Sequence, residues 1–116
     1  MTQKGQNIEM SQGEDKTINF FVYDSAGAAL DSLSGFTFLW YVATSPTAST
    51  TVLTKDSTAG ITTSGSNGVV VTLADTDTEG IDPDTYYHEL RAIDGSANED
   101  IIALGGFTLL GSITNV

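Results

Sequence analysis

The sequence of 116 residues contains no cysteine, which excludes both a disulfide-stapled domain and a metal site built from thiolates. Four basic residues stand against fifteen acidic ones, and the formal net charge is −11. A charge of this sign argues against binding to nucleic acid or to anionic lipid, because both partners require cationic side chains. The polar start and the lack of an apolar run near ~20 residues predict a chain that does not cross a membrane.

The length predicts one domain, residues 1–116, with one hydrophobic core and short polar ends at 1–6 and 111–116. Apolar and polar residues alternate in short runs between turn residues, which predicts β-strands and no amphipathic helix. One helical turn is predicted at 75–80, and Gly105–Gly106 predicts a bulge or a close backbone approach. Seven to nine short strands of this kind predict an all-β, antiparallel sandwich. In chain order, the predicted strands are residues 6–12, 17–24, 36–43, 51–55, 60–63, 69–73, 85–94 and 101–110.

Two aromatic residues predict the type of sandwich. Tyr86 enters a strand just after the acidic turn Asp82–Asp84, which is the layout of a tyrosine corner in immunoglobulin-like domains. We therefore expect its hydroxyl to donate to the backbone near Asp82. Trp40 lies in the most apolar strand and is expected in the core. Together they predict an immunoglobulin-like β-sandwich.

His88 is the only histidine, and it lies two residues after Tyr86 on the face predicted to point inward. A lone histidine can act as a general base, but catalysis requires partners. The sequence has no second histidine for a metal site and no serine in a nucleophile-elbow motif. We therefore expect a core histidine held by hydrogen bonds, at the position of the second cysteine in antibody domains, in a protein that is not an enzyme.

Acidic residues alternate at Asp75, Asp77 and Glu79 before Gly80, as at the start of a calcium-binding loop. The match is incomplete, because the twelfth position is Tyr86 and not a bidentate glutamate. The alternative is a solvated crossing whose carboxylates cap one helical turn. Calcium binding by this loop stays open here, and no metal or cofactor site is predicted.

Several aromatic and aliphatic side chains fall on strand faces opposite the predicted core. Side chains of this kind, exposed at this density, are typical of a protein–protein interface, and stacking against a sugar is the competing use. The predicted interface residues are Phe21, Tyr23, Leu39, Tyr41, Tyr87 and Arg91.

The succession of strands and turns carries a resemblance that no single motif carries. Its segments are Phe20–Gly27, Phe36–Val42, Gly68–Leu73, Asp75–Asp77, Pro83–Leu90, Asp94–Gly95 and Gly106–Leu109. In order and spacing they resemble the small immunoglobulin-like structural domains of tailed bacteriophages, including the amino-terminal domain of phage baseplate upper proteins. The resemblance covers residues 17–114, and Asp84 stands where that family often has glycine.

The resemblance implies a structural protein of a phage particle, assembled in the host cytoplasm, with no cofactor. A short acidic chain fits a capsid decoration (cement) protein that binds the assembled shell, and the alternative is a small tail, neck or baseplate component. The expected partners are capsid or other virion proteins, or copies of the same chain, with no nucleic acid and no membrane. A carbohydrate-binding module is the alternative from another class.

Overall fold

The computed structural model describes residues 5–24, 26–45, 47 and 50–111. Within these residues the chain forms eight β-strands and one helical turn, close to the predicted positions. Most of the predicted polar ends, residues 1–4 and 112–116, lie outside the described part. The elements are β1 (Ile8–Ser11), β2 (Lys16–Phe21), β3 (Thr37–Ala43), β4 (Thr51–Asp56), β5 (Ile61–Ser64), β6 (Gly68–Leu73), α1 (Asp75–Thr78), β7 (Asp84–Ile93) and β8 (Glu99–Leu110).

The strands form two sheets that enclose the core. One sheet has the order β1-β8-β7-β3-β4, and the other has the order β2-β6-β5. Immunoglobulin domains place strands G, F, C and C′ in one sheet and B, E and D in the other, and β2 to β8 follow that arrangement. The predicted all-β, immunoglobulin-like sandwich is confirmed. One pairing differs from the antiparallel prediction: β1 runs parallel to β8, while the other strand pairings in the described part are antiparallel.

Alternation along each strand places one row of side chains between the sheets. In β3 the buried row is Phe38, Trp40 and Val42, while Leu39 and Tyr41 on the opposite side are half-buried. Fully burying an apolar side chain of this size stabilises the fold by roughly 1.5–3 kcal/mol, so this row specifies which face of the strand points inward. Trp40 is completely buried, as predicted.

The crossing between β6 and β7 is fixed by side-chain hydrogen bonds. The Tyr86 hydroxyl donates to the carbonyl oxygen of Asp82 at 2.5 Å, which confirms the tyrosine corner. The buried Thr78 accepts from the backbone N–H of Gly13 at 2.9 Å, and Gln12 Nε2 donates to the carbonyl oxygen of Ile81 at 2.8 Å. The turn between β1 and β2 therefore holds the crossing in place.

The predicted irregularity in β8 has two separate parts. The bulge lies at Ile102, because Leu90 pairs with Ala103 whereas Arg91 pairs with Ile101. Gly105 provides the close approach, since a Cβ at this position would lie 2.5 Å from a backbone oxygen of the segment before β1. Among the described residues, no helix has the length and apolar character needed to cross a membrane.

Candidate docking face on the five-stranded sheet

The outward side of the five-stranded sheet gathers most of the predicted interface residues. On β3, β7 and β8, the side chains opposite the buried rows lie in cross-strand pairs and form one continuous surface. We call this surface the outer face. It consists of Leu39, Tyr41, Tyr87, Glu89, Arg91, Ile101 and Leu104.

Tyr87 is the most exposed large side chain of the outer face, with 42% of its surface accessible. Its cross-strand neighbours are Ala43 on β3 and Gly106 on β8, and both are small. The tyrosine ring therefore lies between two low points of the sheet surface. A cleft of about 670 Å³ opens here, bordered by Tyr41, Tyr87 and the Gly105–Gly106 pair. A partner can contact the ring from more than one side.

Arg91 is held on this face by two carboxylates. Its Nε donates to Glu89 at 2.5 Å, and its Nη1 donates to Glu99 at 3.4 Å. The hydrogen bond to Glu89 is the main reason that the pKa of Arg91 is raised. Ion pairs at the surface contribute only ~0–1 kcal/mol each to stability. The main effect of these two is therefore to fix the Arg91 guanidinium, and two carboxylates around one cation leave the local charge slightly negative.

The six predicted interface residues divide between two surfaces. Phe21 lies at the end of β2, on the three-stranded sheet, and is 51% exposed. Tyr23 follows it, is half-buried, and forms an isolated bridge with Ala29. A single flat partner can contact only one of these surfaces. The outer face holds the other four: Leu39, Tyr41, Tyr87 and Arg91.

Ile101 and Leu104 belong to the outer face, but the sequence pattern does not identify them. The bulge at Ile102 changes the phase of the alternation, so that Ile102 and Ala103 are both buried. A single count along the strand therefore assigns one half of it to the wrong face. Counting separately from Glu99 and from Phe107 would identify both residues.

His88 lies beneath the outer face, in the core. Trp40 Nε1 donates to its Nδ1 at 3.1 Å, and because an indole nitrogen can only donate, the imidazole proton must be on Nε2. That nitrogen donates in turn to the carbonyl oxygen of Gln6. Burial lowers the pKa of His88, and the bond to Gln6 acts in the opposite direction. The prediction of a core histidine held by hydrogen bonds is confirmed, and neither ring nitrogen is available for base catalysis.

The acidic crossing is held by carboxylates that bond to the protein itself, one of its own and one from the turn between β1 and β2. Asp77 accepts from the backbone N–H of Ala74 at 2.7 Å and forms an ion pair with Lys55 at 2.9 Å. Asp15 accepts from the backbone N–H of Asp75 at 2.7 Å. These contacts agree with the capping interpretation. In the described ranges, no three histidine or acidic side chains are grouped so that they could hold a metal ion.

Comparison with known proteins identifies no family for this chain. No family model matches the sequence, and no curated protein matches it. Among solved structures the chain is similar to murine CRIg, with 18% identity and a TM-score of 0.38 over 92% of each chain. The fold is immunoglobulin-like. The sheet order establishes this, and the likeness to murine CRIg carries no argument about function, so the outer face is the basis for one.

Proposed function

We propose that the chain is a non-enzymatic structural protein of a bacteriophage particle, and that it decorates the capsid by binding the assembled shell. The observation that supports this most is the outer face, where aromatic and aliphatic side chains share one side of one sheet. This localisation to the virion follows the resemblance in the strand and turn pattern.

The outer face has the chemistry of a docking surface. Removing apolar surface from water contributes about 25 cal/mol per Å², and tyrosine is enriched in the centres of interfaces. Tyr87 projects between Ala43 and Gly106, so a complementary partner surrounds the ring when it docks. Residues that fill such sites carry a large share of the binding energy. We therefore place Tyr87 at the centre of the interface.

The charge distribution favours a partner of opposite sign over a second copy of the chain. Two copies would each bring a net charge of −11. Carboxylates also flank the outer face: Asp56 pairs with Leu39 across β4 and β3, and Glu99 contacts Arg91 from β8. Like charges placed opposite each other oppose association, whereas complementary charges accelerate it. The partner surface that fits is apolar at its centre and carries lysine or arginine at its edge.

The proposal is tested by locating the protein on the phage particle and by measuring binding to purified empty capsids. We expect saturable binding at a fixed copy number, and density for the sandwich on the shell with its five-stranded sheet against the capsid. Tyr87→Ser should abolish binding, whereas Phe21→Ser, on the other sheet, should retain it. Association with isolated tails and not with capsids would overturn the decoration role and support the tail, neck or baseplate alternative.

One observation favours a second candidate function, carbohydrate binding. The cleft beside Tyr87 also borders the paired polar side chains of Glu89 and Arg91. An aromatic ring next to fixed hydrogen-bonding groups can stack on a sugar and bind its hydroxyls. A glycan array probed with the free protein tests this: binding lost in Tyr87→Ser, without binding to capsids, would replace the structural role by a sugar-binding one.

A further inference from the structure

His88 connects the core to the amino-terminal segment, which we define as residues 6–11. Three hydrogen bonds and one close backbone approach hold the start of that segment to the domain. The His88 ring donates to the carbonyl oxygen of Gln6, and the backbone N–H of Gln6 donates to Leu104 at 3.1 Å. The backbone N–H of Gly106 donates to the Asn7 side chain at 2.9 Å, and the missing Cβ of Gly105 leaves room for Gln6.

The hydrogen bond from Trp40 to His88 is possible only while the ring is neutral, whereas the bond from Nε2–H to Gln6 does not depend on a neutral ring. Trp40 Nε1 can donate but cannot accept, so it needs the lone pair of Nδ1. A proton added to Nδ1 would place two N–H donors against each other and a positive charge in the core. His88 is only 2% exposed, so its charged form is costly unless the ring moves. Its Nε2 is bonded to Gln6, an exposed residue, so this side of the ring lies next to the protein surface.

We propose that His88 is a pH-sensitive latch: the neutral ring ties Gln6 to Trp40, protonation at Nδ1 breaks the hydrogen bond to Trp40, and the charged ring then leaves its place in the core, which withdraws Nε2–H from Gln6 and releases residues 6–7 from β8. The step takes one proton from water and changes no covalent bond. Because the freed residues lie over the glycine pair that borders the cleft, release also changes the edge of the outer face. The latch follows from the core geometry, and it holds whether or not the outer face binds a capsid.

The ionisable residues on the elements around His88 lie away from its ring or are paired, so the imidazole is the group that responds to pH. On β2 the inward ionisable residue is Lys16, at the far end of the strand from Phe20, which packs on the imidazole. On β4, Lys55 is cross-strand from Trp40 and is neutralised by Asp77. On β7, Tyr86 shares the inward face with His88, while its chain neighbours Tyr87 and Glu89 point to the outer face. Glu9 is exposed on β1, and the residue of β8 opposite His88 is Gly105.

The chain allows a clean test, because it contains one histidine and one tryptophan. Fluorescence of Trp40 and the imidazole NMR signals are followed from pH 7.5 to pH 4.5, together with hydrogen-exchange protection of two amides, Gln6 and Gly106. We expect the Nε2–H tautomer at neutral pH and a fluorescence change with a midpoint below 6.5. Protection of the two amides should fall with the same midpoint, by about tenfold per pH unit below it. The amide of Val22, bonded to Asn67 at the end of the three-stranded sheet, is the internal control and should keep its protection.

His88→Gln is the matched variant, because a glutamine amide can accept from Trp40 and donate to Gln6 without titrating in this range. The variant should keep the protection of the Gln6 and Gly106 amides. It should show no fluorescence change above the pH range in which the carboxylates titrate. Identical pH profiles in the two proteins would overturn the latch. If the variant does not fold, the wild type alone still tests the latch. Protonation of His88 that leaves the protection of the Gln6 amide unchanged contradicts a local release. Protonation that also removes the protection of the Val22 amide contradicts it as well.

Discussion

Substituting the two adjacent glycines of β8 separately tests how the amino-terminal segment is packed. A Cβ at Gly105 would lie 2.5 Å from the oxygen, 2.6 Å from the carbon and 2.9 Å from the nitrogen of the Gln6 backbone. At Gly106 the nearest atom to a Cβ is Asn7 Oδ1, at 3.4 Å. The first contact is with backbone, which cannot move alone, and the second is with the end of a side chain, which can rotate. Gly106→Ala is therefore the matched control for Gly105→Ala.

The structure gives the expected size of each effect. Replacing a strand glycine by alanine favours folding by about 0.5–1 kcal/mol, because glycine loses more conformational freedom. Overpacking opposes this at Gly105 with about 1–3 kcal/mol. If Gln6 moves away, the His88 N–H loses its acceptor in the core, at a cost of roughly 1–3 kcal/mol. We expect Gly105→Ala to lower the free energy of unfolding by about 2 kcal/mol, and Gly106→Ala to leave it unchanged or to raise it by up to about 1 kcal/mol.

Urea unfolding followed by Trp40 fluorescence measures both variants, and hydrogen exchange at Gln6 shows where the loss occurs. A destabilisation of ~2 kcal/mol corresponds to a fall in Tm of roughly 8 °C for a domain of this size. Gly105→Ala should also remove the protection of the Gln6 amide, while Gly106→Ala keeps it. Equal stability of the two alanine variants would refute the argument that the segment is packed against Gly105.

Three further predictions concern individual side-chain hydrogen bonds. Tyr86→Phe removes the bond to Asp82 and should lower the free energy of unfolding by about 1 kcal/mol in urea titrations. Thr78→Val keeps the buried shape but removes the acceptor of the Gly13 N–H, and it should cost about 1–2 kcal/mol by the same assay, whereas the exposed Thr76→Val should cost little. Because burial lowers the pKa of folded His88 below 6.5, its contribution to stability is complete above pH 6.5 and is lost as the pH falls through the folded pKa. The free energy of unfolding should therefore fall below pH 6.5, with a slope of up to about 1.4 kcal/mol per pH unit that is absent in His88→Gln.

The strands could be predicted because each one is encoded locally, by apolar and polar residues that alternate between turn residues. The tyrosine corner could be predicted for the same reason, since Tyr86 and Asp82 are four residues apart. The parallel pairing of β1 could not, because alternation in a short strand does not encode the direction of its neighbour. The glycine pair indicated a close approach, but the partner, Gln6, is far away in sequence.

The candidate site could be predicted only in part. Alternation correctly separates inward from outward residues on one strand, but it does not say which of the two sheets the strand joins. Phe21 and Tyr87 are both exposed, yet they lie on opposite sheets. The Trp40–His88 bond could have been expected in outline, because a buried histidine needs partners and an indole has only a donor to offer. Its direction, and the proton on Nε2, follow only from the geometry.

The place of His88 in the fold explains why one side chain can affect both the core and the amino-terminal segment. Antibody domains join the two sheets at this level with a disulfide beside a buried tryptophan, a link that stabilises by roughly 4 kcal/mol for a loop of such length. Here the chain has no cysteine, and ring contacts take the place of the bridge. The His88 ring lies 5.9 Å from Phe20 on β2 and 6.0 Å from Trp40 on β3, measured between centroids. A disulfide does not titrate near neutral pH, whereas an imidazole can. The imidazole also has a second nitrogen, which reaches Gln6. The replacement of a covalent link by aromatic contacts thus brings a titratable group to a core position that lies opposite β8 and contacts the segment before β1.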